Sequence, residues 1–276
     1  MKAYKVVLRL LTPLHVGWLK QGNLQRTRPY VTGKALWGAL TARLTRDDPK
    51  SGGNYVNIGK RVNEELAFTY FYPAVGEEVD LWPWDDPDEF AWRYLNSYAS
   101  TALDYDRNTA EEGTLHETEY ISPRTREGKP VYLVGYILER DGGNLAWSEA
   151  LGRLQLGGER GYGWGRVEPV SKQESKEPLF GQWSVQAGTW PPELVPASPE
   201  ARVLAHALAA DFDDGTLHRA LTDVTGPIEP LVGRETVAGD RFGMQISPAR
   251  ICYAPGSRAK PTTSCRIGPY GIWEAS

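Results

Sequence analysis

The stretch GGERGYGWGR, Gly157 to Arg166, holds five glycines, two arginines and two large aromatic residues in ten positions. Glycine reaches left-handed backbone angles and lets a ligand come close to the main chain. Arg160 and Arg166 add charge, and Tyr162 and Trp164 add stacking faces. This combination suits a phosphate-bearing ligand, and two nucleotide-cofactor readings fail on spacing. A Walker loop needs GxxxxGK followed by Ser or Thr, and no Lys-Ser or Lys-Thr pair follows these glycines. A dinucleotide fingerprint needs glycines that leave a strand and open a helix, whereas these leave a predicted helix and open a predicted strand. With an arginine on each side of the turn, an RNA backbone is the better match.

Other residue types could do chemistry of their own. His15 ends the first predicted strand, and an imidazole there could act as a general base in metal-free RNA cleavage. The preferred reading is a histidine that hydrogen-bonds backbone or phosphate. His116 and the pair His206 and His218 show no metal-ligand spacing with carboxylates, and Arg107 beside Asp104 and Asp106 predicts an ion pair. Cys252 and Cys265 are the only cysteines, too few for a disulfide framework or a thiolate metal site. No metal and no cofactor is expected. Arg26, Arg28 and Lys34 surround the predicted start of the first helix, where free amides and the helix dipole attract phosphate. Ser122 to Lys129, SPRTREGK, adds Arg124 and Arg126.

The chain of 276 residues carries a net charge of −4, which by itself argues against nucleic acid. The distribution argues otherwise. Residues 1–46 hold nine Lys or Arg and no acid, 47–127 hold eighteen acids against seven bases, and 171–240 hold eleven against five. Residues 241–276 turn basic again, five against one. Basic ends form a groove only if the fold brings them together. No apolar run is long enough for a membrane span, and the N-terminal apolar stretch is too short for a signal peptide, so a cytoplasmic protein is expected.

The elements that must position these residues follow from periodicity. Tyr4 to Leu11 reads as a strand, broken by Pro13 and Gly17. Leu36, Leu40 and Leu44, with Trp37, make one face of a helix from Gly33 to Arg46. Residues 47–127 read as an irregular acidic insertion, because Pro83 and Pro87 exclude a regular central strand. Within it, TLHETEYISPRT forms a strand arm. Pro130 to Arg140 reads as a buried strand, LAWSEALGRLQL (145–156) as a short helix, and GRVEPV (165–170) as the closing strand. The order predicts an α+β, ferredoxin-like βαββαβ domain over 1–170, the architecture of RNA-recognition modules. A polar linker at 171–178 then leads to a smaller, β-rich, degenerate second unit over 179–276, with a helix around 201–210 and strands near 182, 245–253 and 265–273.

Three segments carry a family resemblance. LTPLHVG leading into YVTGKALWGALTARL resembles the opening of the RAMP superfamily of CRISPR-associated proteins. GGERGYGWGRV is similar to that superfamily's glycine-rich loop, and ALDYDRNTAEEGTLHETEYI resembles the protruding hairpin of its guide-complex subunits. The resemblance implies an RNA-binding subunit of a multi-protein, RNA-guided interference complex. Its partners would be CRISPR RNA and other subunits: backbone RAMP proteins, and a large subunit or a separate nuclease. Backbone subunits of type III systems carry a target-cleaving Asp after the first strand, but GWLKQGNLQRTRPY has no acid. The expected role is therefore a non-catalytic cap that grips the 5′ handle of the guide and touches the first backbone subunit. The alternatives are a metal-independent guide-processing endoribonuclease using His15, or a backbone subunit without the cleaving Asp. The RNA-contacting set expected is His15, Arg26, Arg28, Lys34, Arg124, Arg126, Gly158, Arg160, Gly161, Tyr162, Gly163, Trp164 and Arg166.

Overall fold

A computed structural model describes residues 1–210, 219–236 and 243–276. His218 lies outside the described residues. In chain order the first half contains β1 (Lys2–Leu10), β2 (Gly17–Gln21), β3 (Leu24–Thr27), α1 (Gly33–Asp47), α2 (Tyr55–Glu65), β4 (Leu66–Phe68), β5 (Tyr72–Val75) and β6 (Glu78–Val79). There follow α3 (Pro87–Tyr94), β7 (Leu95–Ser100), β8 (Leu103–Asp104), β9 (Thr109–Ala110), β10 (His116–Ile121), β11 (Tyr132–Glu139), α4 (Trp147–Ala150) and β12 (Val167–Glu174). The last hundred residues add β13 (Trp183–Val185), β14 (Glu193–Pro196), β15 (Ala207–Leu208), β16 (Val224–Thr225), β17 (Ile228–Leu231) and β18 (Arg234–Glu235). They end with β19 (Gln245–Ile246), β20 (Arg250–Tyr253), β21 (Arg258–Ala259), β22 (Cys265–Ile267) and β23 (Trp273–Ala275).

The first sheet runs β12-β1-β11-β5-β6, with β4 also paired to β11, and its pairings are all antiparallel. Counting β4 and β5 as the second strand, this is the 4-1-3-2 order of a ferredoxin-like βαββαβ fold. Successive strand residues face opposite ways. Leu133 and Ile137 of β11, Val6 and Leu8 of β1, and Leu66 and Phe68 of β4 join a core beneath α1, α2 and α4. Ala67, Tyr136 and Leu138 face the other side. There a seven-stranded sheet, β13-β14-β22-β23-β15-β20-β17, supplies Trp183, Leu194 and Trp273, and the bend before β15 supplies Leu204. The Tyr72 hydroxyl donates to the Leu204 carbonyl at 2.8 Å, and Trp183 Nε1 to the Arg202 carbonyl at 2.8 Å. A third sheet, β2-β3-β10-β7, carries a hairpin whose tip is the β8–β9 pair. At and near that tip Leu103, Tyr105 and Leu115 are exposed.

Several sequence expectations change in physical detail. Region 47–127 is more regular than expected: it contains α2, the second strand of the main sheet and α3. Pro87 starts α3 rather than breaking it, because the first turn of a helix needs no N–H from that position, and the Asp86 carboxylate caps the Glu89 amide. The helix expected over 145–156 is a single α-turn continued by a 3₁₀ turn, Leu151–Arg153. The linker at 171–178 is half strand: β12 runs to Glu174, because its backbone completes the edge pairing of β1. The helix around 201–210 is instead an extended run ending in β15, and its apolar residues are buried on all sides rather than along one face. No helix among the described residues is long and apolar enough to cross a membrane.

Trp183 is wholly buried, edge-on to Trp273 at 4.7 Å between centroids. Trp183→Ala is expected to cost about 3–5 kcal/mol in urea unfolding; a loss below about 1 kcal/mol would mean that this core collapses into the space.

Candidate nucleic-acid interface

The Pro13–His15 segment is tied on two sides by backbone hydrogen bonds. Leu14 exchanges bonds with Ile121 at the base of the hairpin, at 3.0 and 2.9 Å. On the other side Gly158 N donates to the His15 carbonyl at 2.8 Å and Gly165 N to the Pro13 carbonyl at 2.7 Å. Two glycines are demanded here, Gly157 by this approach and Gly165 by the closure of the loop on its own Leu156. Gly157 (φ 71°) and Gly165 (φ 78°) are left-handed, and a Cβ on either would overlap a carbonyl oxygen, of His15 and Leu156 respectively. Gln155 Nε2 staples the loop from inside, donating to the carbonyls of Arg160 and Trp164 at 2.9 Å each. The loop is thus held, not free. Gly161 differs: its φ is ordinary and a Cβ would meet nothing within 4 Å, so the protein's own packing does not require glycine there.

A groove of about 520 Å³ opens beside this junction. Its lining includes His15, Arg28, Lys34, Gly158, Arg160 and Arg234. Thr32, whose hydroxyl caps the Ala35 amide at 3.2 Å, and the first turn of α1 also face it. That turn contains no acid. His15 is almost fully buried, with Nδ1 2.7 Å from the Glu119 carbonyl. A carbonyl only accepts, so Nδ1 carries a proton and donates it to that carbonyl. Desolvation by the groove walls, and then the like charge of Arg46, lower the Arg160 pKa. An anion bound here would relieve that repulsion. Lys34 Nζ lies 3.3 Å from Glu235 and 4.9 Å from the Tyr270 ring centroid, and burial lowers its pKa against the pull of Glu235.

Arg28 sits deeper and is already neutralised. Its Nη1 donates to Glu229 at 2.9 Å and to the Tyr30 hydroxyl at 3.2 Å. Trp18 Nε1 donates to the second Glu229 oxygen at 3.1 Å. His206 Nε2 hydrogen-bonds Glu229, and Tyr70 lies 2.6 Å from His206 Nδ1. Burial pushes His206 below its ordinary value, and Arg28 adds to that, against the hydrogen bond to Glu229. The ring is therefore neutral, with Nε2–H donated to the carboxylate and Nδ1 accepting from the tyrosine. Burial alone would raise Glu229, but the His206 hydrogen bond and the Arg28 charge outweigh it and hold it at about 2.

The remaining expected residues scatter. Arg26 is bound to Glu119, Nε to carboxylate at 3.0 Å. Arg124 Nη1 donates to the Gly128 carbonyl and Arg126 Nε to that of Trp92, both away from the groove lining. Arg166 lines a separate depression with Arg153 and Leu11. Tyr162 and Trp164 lie in another cleft, toward the hairpin. Gly163 (φ 83°) closes the 3₁₀ turn Arg160–Tyr162. Arg107 pairs with Asp104 at 3.6 Å, and no group of three His, Cys, Asp or Glu among the described residues is arranged to hold a metal. Glu119, Glu229 and Glu235 were missed as partners, since each lies about a hundred or two hundred residues from its cation. The acid-free character of residues 1–46 is a property of the sequence and does not survive folding.

A 4-1-3-2 sheet with a glycine-rich loop before its last strand defines a ferredoxin-like α+β protein with a second sheet fused behind it. The chain belongs to the RAMP superfamily, whose model matches residues 7–168. Two solved chains share the fold. One, from Type III-B Cmr-beta bound to cognate target RNA, is 14% identical, with a TM-score of 0.55 over 93% of this chain and 86% of that one. The other, from Type III-B Cmr-beta bound to cognate target RNA and AMPPnP, is 15% identical, with a TM-score of 0.52 over 94% and 86%. No curated protein matches the chain.

The buried network makes stability acid-sensitive. The His206 pKa is lowered from 6.5, so its contribution is complete above that value and declines on acidification below it. Glu229 is lowered from 4.5 to about 2, so its contribution is lost as pH falls through that window. Melting temperature should fall from pH 6.5 downward and more steeply below 4.5. Glu229→Gln should be less stable by about 3–5 kcal/mol at neutral pH, with the buried Arg28 charge unpaired, and show a shallower acid limb. Parallel wild-type and variant profiles would contradict the network.

Proposed function

We propose that this chain is a non-catalytic guide-RNA-binding subunit of a type III-like RNA-guided complex, gripping the 5′ handle of the guide and docking its hairpin on the first backbone subunit. One observation carries this reading. The groove gathers Lys34, Arg160 and Arg234, the acid-free amino end of α1 and a glycine loop held open by its own backbone bonds. These are the parts that bind a ribose-phosphate strand through charge and main-chain amides. Family membership supports the assignment, as does the likeness to chains of Cmr-beta in its complex with target RNA. The hairpin with exposed Leu103, Tyr105 and Leu115 supports the docking role. Between Gly17 and Tyr30 there is no Asp or Glu to place beside an RNA target, which favours a subunit without target cleavage.

RNA affinity should fall with salt, with a logarithmic slope of about 0.7 per phosphate neutralised on a single strand. Arg160→Ala and Lys34→Ala, combined, should weaken handle RNA and reduce that slope by about 1.4. An unchanged slope would overturn the assignment of the groove. The same RNA incubated with protein in EDTA should stay intact; site-specific cleavage abolished by His15→Ala would replace the capping role with guide processing.

A further inference from the structure

The glycine loop has two faces of opposite chemistry. One side bears Arg160 and faces the groove already described. The other closes a cleft of about 590 Å³ against β7 and β10. Tyr98, Tyr162 and Trp164 supply its rings, and Ser100, Thr118, His116 and Glu159 its polar groups. No lysine or arginine is in that lining, so the cleft, unlike the groove, brings no guanidinium or ammonium charge to a phosphate.

Its tryptophan is held by neighbouring rings and its glutamate by backbone bonds, while its outer tyrosine stands in solvent. Trp164 is braced edge-on by Tyr120 at 5.0 Å and Tyr98 at 6.4 Å between centroids, with its carbonyl held by Gln155. Tyr162 is 84% exposed, a large apolar face that solvent covers at a cost. Glu159 is held at φ 53°, a region where a residue other than glycine is strained, while its carbonyl accepts from the amides of Tyr162 and Trp164. Among the described residues no salt bridge is made by its carboxylate, although Arg160 and Arg166 lie in the same loop.

We propose that this cleft takes one unstacked nucleobase, and that Glu159 selects guanine. The inference rests on the RNA-binding reading above and divides the labour: phosphates on the arginine face, a base on the aromatic face. Flat rings stack on any base, so stacking by Tyr162 and Trp164 confers affinity without choice. Choice comes from the carboxylate, which only accepts hydrogen bonds. Guanine offers it two adjacent donors, N1–H and the N2 amine. Uracil offers one N–H flanked by two carbonyl oxygens that the carboxylate repels.

The test is fluorescence anisotropy of the full chain with short single-stranded oligouridines, each carrying a central uridine, guanosine, inosine or abasic site. The guanosine oligomer should bind about 5- to 150-fold more tightly than the abasic one. Inosine, which lacks the N2 amine, should bind more weakly than guanosine. Glu159→Gln should abolish the preference for guanosine over inosine, Tyr162→Ala should weaken every base-bearing oligomer relative to the abasic one, and neither should change the salt slope. Equal binding of all four oligomers, or a guanosine preference that survives both substitutions, would overturn the cleft and leave the groove standing. Failure of every oligomer to bind would overturn the RNA-binding reading, and this one with it.

Discussion

Everything at the site depends on how closely two pieces of main chain approach each other. The Pro13–His15 segment is bonded through its backbone to the hairpin base on one side and to the glycine loop on the other. The approach leaves no room for a Cβ at Gly157, and the closure of the loop on Leu156 leaves none at Gly165. Three parts far apart in sequence are thereby locked at one point: the end of the first strand, the root of the hairpin and the turn before the last strand. The ferredoxin-like sheet makes this possible, because β1 lies between β12 and β11 and its end is the natural meeting place of both neighbours. The junction then divides the surface, with the cationic groove on one side and the aromatic cleft on the other.

The C-terminal sheet contributes to the site as well as to stability. It covers the face of the main sheet that the helices leave bare, burying Tyr70, Tyr72 and Tyr136. It also sends Glu229 back to Arg28, and the separate β18–β19 pair sends Glu235 to Lys34. These two pairs are unequal. Arg28 is deep in a network with Glu229, His206 and two tyrosines, and works as a structural strut. Among the described residues Lys34 has one carboxylate partner, itself partly exposed, at a distance of 3.3 Å, and rests over the Tyr270 ring. A half-exposed pair of this kind contributes little to stability, and an arriving phosphate can compete for it.

How much of this was legible in the sequence depends on range. Local patterns read well: the leucine spacing of α1, the strand character of β1, the apolar run of β11, and the glycine loop itself. The second strand of the main sheet was hidden inside an acidic, proline-containing region, because β4 and β5 together are only seven residues long. The run 201–210 reads as helix from alanine and leucine propensity, and tertiary burial between two sheets overrides that propensity. Charge was the least transferable signal. An acid-free segment suggests an open basic face, yet Arg26, Arg28 and Lys34 each meet a glutamate that no local pattern connects to them.

On the proposed function, a single RNA strand lies along the junction of the glycine loop and the first helix and not over the acidic depression lined by Asp80, Asp85 and Glu89. Photo-crosslinking of the full chain to single-stranded RNA containing 4-thiouridine, followed by mass spectrometry of the linked peptides, tests this directly. The account predicts adducts in the peptides spanning 155–166 and 15–40 and none in 78–94. Adducts concentrated in 78–94, with the loop peptides unmodified, would contradict it.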